Sequence, residues 1–137
     1  GNHDLVVIER AAQGELLAPE EAVAWLKTLP VMIHGPGWTA VHGGVDPVLG
    51  ACGTTQAQAV SLRRTPPGDP NAAFWWQQYT GTDLVIYGHD AVRGLQDHRP
   101  QTLGLDTGCV YGQRLTGYLL QTDELISVEA ARMYRPV

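Results

Sequence analysis

The sequence predicts a mixed α and β domain, and three observations predict it. Apolar residues at helical spacing fill the opening of the chain, and short apolar runs of strand length follow in the second half. Turn formers are frequent throughout: 16 glycines and 9 prolines in 137 residues demand many tight loops rather than a helical bundle. At this length a single domain over residues 1–137 is expected, large enough for a real core.

The elements follow in order. Leu5, Ile8, Ala11 and Ala12 sit on one helical face, with Gly14 as the stop. Pro19-Glu20-Glu21 opens a second helix through Trp25 and Leu26, because proline and acidic side chains suit a first turn; Lys27 and Pro30 end it. Val31 to His34 and Thr39 to Val41 read as a hairpin around Gly35-Pro36-Gly37, entering Val41-His42-Gly43-Gly44. Gln56 to Leu62 is readable as helix, Thr65 to Pro70 as loop, and Ala72 to Tyr79 as a short aromatic helix. Leu84-Val85-Ile86-Tyr87 is a continuous apolar strand running into Gly88-His89-Asp90, and Leu103 to Leu105 is another, running into Asp106-Thr107-Gly108. Arg114 to Gln121 and Leu125 to Val128 pair across Thr122-Asp123-Glu124.

Composition excludes several classes. A formal charge of −5 leaves no basic footprint for a nucleic-acid polymer. A phosphorylated substrate would then need local positive charge, from metal or a few arginines. No run approaches the roughly 18 apolar residues of a membrane helix, and the two cysteines form no metal motif, so the cytoplasm is the expected location. The chain opens on Gly1 with a dense polar turn and no strand to hold it. The expectation is that it forms the C-terminal portion of a longer domain.

Chemistry is suggested by where histidines fall. His42 and His89 each follow an apolar strand, beside glycines that let backbone or ligand approach closely. His3 stands in a comparable polar turn between Asn2 and Asp4. One histidine beside glycine is commonly just a loop residue. Three in matching contexts, with Asn or Asp beside them, make a convergent metal site, since imidazole and amide oxygen suit Fe, Mn, Zn or Ni. His34 and His98 lack that setting to the same degree and read as surface residues or as residues standing behind the ligands. Trp75-Trp76 reads as core or as a surface on which a base could stack, Asp106-Thr107-Gly108 as a structural turn, and Arg63-Arg64 as a solvated pair or a phosphate clamp.

Four motifs in order carry a resemblance: Gly1-Asn2-His3-Asp4, Val41-His42-Gly43-Gly44, Val85-Ile86-Tyr87-Gly88-His89-Asp90 and Leu105-Asp106-Thr107-Gly108-Cys109-Val110-Tyr111-Gly112. Together they resemble the phosphoprotein-phosphatase branch of the calcineurin-like metallophosphoesterases, which includes serine/threonine phosphatases and symmetrical bis(5′-nucleosyl)-tetraphosphatases. The resemblance implies a two-sheet sandwich flanked by helices, here without its N-terminal strands. It implies two metal ions (Mn, Fe or Zn), with Asn2, His42 and His89 ligating one, His3 as general acid and Arg64 as a phosphate contact. Asp4 departs from the commoner glutamate. The family's Asp-x-His and Gly-Asp-x-x-Asp-Arg-Gly motifs are not in these residues, so the second metal has few ligands here and the chain by itself is expected to be inactive. The implied reaction is attack by metal-activated water on a phosphoester or phosphoanhydride of a small molecule or phosphoprotein, without a membrane partner. From another class, a non-catalytic binding module with one structural metal would use the same residues.

Overall fold

The computed structural model describes residues 1–136. Two helices open it, α1 (Asn2–Ala12) and α2 (Glu20–Leu26), packed against each other at the periphery; Val23 is their one buried residue. The hairpin follows as β1 (Met32–Gly35) and β2 (Trp38–Val41), and then α3 (Gln56–Ser61). Its start is a capping box: Gln58 N donates to Thr55 Oγ1, and Thr55 N donates to Gln58 Oε1.

Two short strands, β3 (Arg64–Thr65) and β4 (Ala73–Phe74), pair across the 66–72 loop and lead into α4 (Trp75–Gln78). The helix expected over Ala72 to Tyr79 is therefore shorter, because its first residues are taken by pairing with Arg64 and Thr65. Next come β5 (Leu84–Tyr87), β6 (Gln96–His98), β7 (Thr102–Gly104) and the hairpin β8 (Arg114–Leu119) with β9 (Glu124–Glu129).

Five strands form one mixed sheet in the order β1-β2-β5-β7-β6, beside the two-stranded sheets β3-β4 and β8-β9. In the middle of the large sheet, β2 pairs in parallel with β5, and β5 in parallel with β7. β6, at an edge, carries Gln96-Asp97-His98, polar residues suited to an unpaired side and without the apolar signal of a strand.

The core gathers Val41, Val45, Ala59, Leu62, Val85 and Tyr87 around Trp75, which is fully buried, with Trp76 nearly so. Both tryptophans thus serve the core: Trp75 lies edge-on to Tyr87 at 4.9 Å and Trp76 stacks on it at 5.3 Å. Among the described residues no helix is long and apolar enough to cross a membrane.

Candidate functional site

Topology decides where the chemistry can sit. Because β2, β5 and β7 run parallel, the segments leaving them emerge at one edge of the sheet, the carboxyl edge where open α/β sheets bind ligands. His42 directly follows Val41, His89 stands two residues past Tyr87, and Asp106 two residues past Gly104. All three line one cavity of about 390 Å³, together with Asn2, His3 and Arg63.

The imidazoles of His42 and His89 meet edge to face, their ring centroids 5.1 Å apart. His42 Nε2 lies 2.9 Å from Asn2 Oδ1, a bond joining residues 40 positions apart in the chain. Asn2 and His3 do not occupy a strand-end turn as their sequence context suggested. They form the first turn of α1, and that turn is laid against His42.

Both central histidines are neutral at pH 7. Burial lowers the pKa of His42 from 6.5. Burial also pushes His89 down to about 4, and the positive charge of Arg63 and the neighbouring His42 add to it. Neutral imidazole is the form that binds metal.

The two turns are built by different means. After His42, Gly43 N donates to Ala59 O at 2.7 Å, which brings the backbone hard against α3. A Cβ on Gly43 would fall 2.5 Å from Ser61 N, and one on Gly44 would fall 2.5 Å from the Trp75 indole nitrogen. Only glycine fits at either place. His89 instead takes a left-handed backbone itself, at φ 71°, a conformation that side chains other than glycine seldom adopt. Arg63 holds it there: Nη2 donates to His89 O at 3.2 Å, while Nε lies 3.8 Å from Asp90 Oδ1. Asp90 is bound on its other oxygen by Arg93 Nε at 2.7 Å.

Arg64 is not brought to this cavity. Its guanidinium donates to Ala72 O and lies 3.9 Å over the Phe74 ring. The arginine facing the histidines is Arg63, its side chain 53% exposed and so open to a ligand. The Arg63-Arg64 pair was visible in the sequence, but which member faces the site depends on β3, because pairing Arg64 opposite Phe74 commits it to the aromatic ring. Tyr111, within the fourth motif but given no role there, and Arg135, which no sequence signal marked, also line the cavity. Asp106 lines it as well, while Thr107 next to it is structural: its hydroxyl donates to Arg114 O at 2.7 Å and meets Thr116 Oγ1 at 2.8 Å. His34 and His98 are exposed on β1 and β6.

Asn2, His42 and His89 suit part of one transition-metal shell. Two neutral imidazoles and an amide oxygen are borderline donors of the right kind. Ligand atoms about 2.1 Å from a metal at right angles lie about 3 Å apart, and His42 Nε2 and Asn2 Oδ1 already have that spacing at 2.9 Å. Among the described residues no three His, Cys, Asp or Glu side chains cluster to hold a metal without such an amide.

The fold is of the metallophosphoesterase type, as comparison with known proteins shows. A solved structure described as a candidate diadenosine tetraphosphatase superimposes over 95% of this chain with a TM-score of 0.86 and 27% identity. The asymmetrical bis(5′-nucleosyl)-tetraphosphatases PrpE of Bacillus velezensis and Bacillus subtilis are 37% and 36% identical, each over 50% of this chain. That of a Geobacillus species is 35% identical over 52% of it. The resemblance to calcineurin-like metallophosphoesterases is borne out by these relatives, and they carry the asymmetrical name where the motifs had suggested the symmetrical one. No family model matches the chain. The matched segment spans only 27% to 29% of those curated relatives, and the chain covers 66% of the solved neighbour.

Proposed function

We propose that these residues contribute to a metal-dependent hydrolase of phosphoanhydrides or phosphoesters acting on a small phosphorylated molecule, as the names of the relatives suggest. One observation carries the reading. His42 and His89, both neutral, meet edge to face in the lining of a cavity in which Asn2 Oδ1 stands 2.9 Å from His42 Nε2.

In this reading Asn2, His42 and His89 hold one metal ion. A bound divalent metal would supply Lewis acidity, bringing the pKa of water down to about 7 so that it could attack phosphorus. The remaining work belongs to side chains. His3, exposed at the cavity rim, gives a proton to the departing oxygen. Arg63 binds a substrate phosphate, and its exposed guanidinium can do so without leaving the Asp90 carboxylate unpaired, since Arg93 remains on it. Arg64, bound to Ala72 and Phe74, acts on phosphate only indirectly, by fixing β3 and hence Arg63. A second metal finds few ligands among these residues, so we expect turnover to require the longer protein.

A second reading is favoured by the thin ligand set: with no three acidic, cysteine or histidine side chains clustered among the described residues, the site would bind a single metal and catalyse nothing. His89→Ala in the longer protein, assayed with Mn²⁺ and a dinucleoside tetraphosphate, separates the two. The hydrolase reading expects kcat to fall by a factor of about 100 or more, together with loss of bound metal by elemental analysis. Unchanged turnover would overturn the metal assignment.

A further inference from the structure

The fourth sequence motif, Leu105 to Gly112, ends in a turn for which the reaction above has no use. Gly108 and Gly112 both take a left-handed backbone, at φ 71° and 81°, and enclose the one-turn helix Cys109–Tyr111. Val110 stands exposed at its middle. Its carbonyl oxygen accepts two backbone N–H groups, those of Tyr134 and Arg135, each at 3.0 Å.

The segment after β9 is thereby folded back over this turn. Ala130 N donates to Gln113 O at 2.8 Å, which begins the return. Met133 then lies so close that a Cβ on Gly112 would fall 3.0 Å from its Cα. Residues 132–136 are neither helix nor strand, so these contacts hold them in place of a hydrogen-bonded ladder. The result is a strap that brings Arg135 and Pro136 into the wall of the histidine cavity, beside Val110 and Tyr111.

Arg135 differs from the other arginines in what it is left to bind. Arg10, Arg63, Arg93, Arg99 and Arg114 each pair with a carboxylate. Arg64 donates to Ala72 O, and Arg132 lies 5.2 Å over the Tyr134 ring. Among the described residues the Arg135 guanidinium has no such partner, so its five N–H donors are unspent. The chain carries a net charge of −5, and an anion entering the cavity depends on local cations. Two arginines line that cavity against one carboxylate, Asp106. Arg63 already gives an N–H to His89 O and shares Asp90, which leaves Arg135 as the uncommitted cation.

We propose that Arg135 is a second phosphate-binding residue of the histidine cavity, and that the Val110 carbonyl, held out between Gly108 and Gly112, is the anchor that delivers it. This rests on the phosphohydrolase reading and adds a residue to its site. The fourth motif then serves binding as well as packing, because its turn seats the strap.

Inorganic phosphate titrated against this chain in chelator, followed by amide chemical shifts, tests the assignment apart from metal and turnover. Arg135→Ala is expected to weaken phosphate by about tenfold or more, as loss of a charge-assisted contact does. Arg135→Lys keeps the charge and is expected to lose only a few-fold. Arg132→Ala removes the same charge from the same strap, outside the cavity lining, and is expected to change nothing. Gly112→Ala strains the left-handed turn and crowds Met133; it is expected to weaken phosphate several-fold and to add nothing to the loss in Arg135→Ala.

Equal losses from Arg132→Ala and Arg135→Ala, undiminished binding by Arg135→Ala, or no phosphate binding by the unmodified chain would overturn the proposal. Fully additive losses from Gly112→Ala and Arg135→Ala would overturn the anchoring role of the turn. In the longer protein with Mn²⁺, Arg135→Ala is expected to raise KM for p-nitrophenyl phosphate about tenfold with bound metal unchanged. Absence of any turnover there counts against the phosphohydrolase reading alone, since phosphate binding to this chain is measured without it.

Discussion

The turns after β2 and β5 have nearly the same sequence context, an apolar strand followed by glycine and histidine, yet they reach the same cavity by opposite means. At His42 the geometry is imposed from outside: Gly43 and Gly44 let α3 and Trp75 close directly on the backbone, and the histidine follows. At His89 the histidine itself adopts the unusual backbone, and the cation of Arg63 holds its carbonyl. The first turn stores its information in packing, the second in strain and charge. A histidine can therefore be aimed without the same local conformation, provided that parallel neighbouring strands deliver both to one edge.

This contrast can be broken most strongly at Gly43. Gly43→Ala places a methyl 2.5 Å from the Ser61 backbone, where nothing flexible can yield. The expected loss is about 1–3 kcal/mol in urea unfolding, with the His42 ring displaced from Asn2 in chemical-shift mapping. Full stability in this variant would show that packing does not set the first turn.

The reciprocal change at the second turn runs the other way. In chelator, where no metal rewards the imidazole, His89→Gly is expected to stabilise the fold by up to about 1 kcal/mol. It relieves the left-handed backbone at some entropic loss. Marked destabilisation would mean that the side chain, not the backbone, holds this turn.

The smallest effect concerns acid. Asp46, just beyond Gly43-Gly44, accepts Val48 N at 3.0 Å and Leu49 N at 2.8 Å. The Leu49 bond first, and then that of Val48, lower its pKa from 3.8. Because the folded value is the lower one, the carboxylate's stabilisation is present above pH 3.8 and is lost as pH falls through the folded value. Asp46→Asn should flatten the acid limb of the stability curve below about pH 4 and change little above it. An unaltered acid limb would remove Asp46 from the bracing of the first turn.

Much of this was legible before any coordinates. β2, β5 and β7 were readable because strand-length apolar runs ended in glycine and a polar residue, whereas the tryptophan pair could face a substrate or the core until its burial against Tyr87 decided it. β6 was not, since an edge strand made of Gln96, Asp97 and His98 has no hydrophobic period. The helical conformation of Asn2 and His3 was hidden by a polar tetrapeptide that resembles a turn.

The sequence by itself determined which side chains could do chemistry and that two histidines would stand at strand ends, because these depend on residue type and on local periodicity. Only the tertiary structure decided that those ends share an edge, that Asn2 meets His42, and that Arg63 rather than Arg64 faces the histidines. Those outcomes depend on strand order and on pairing such as Arg64 opposite Phe74. Pairing across the chain is set by long-range burial, which no local spacing records.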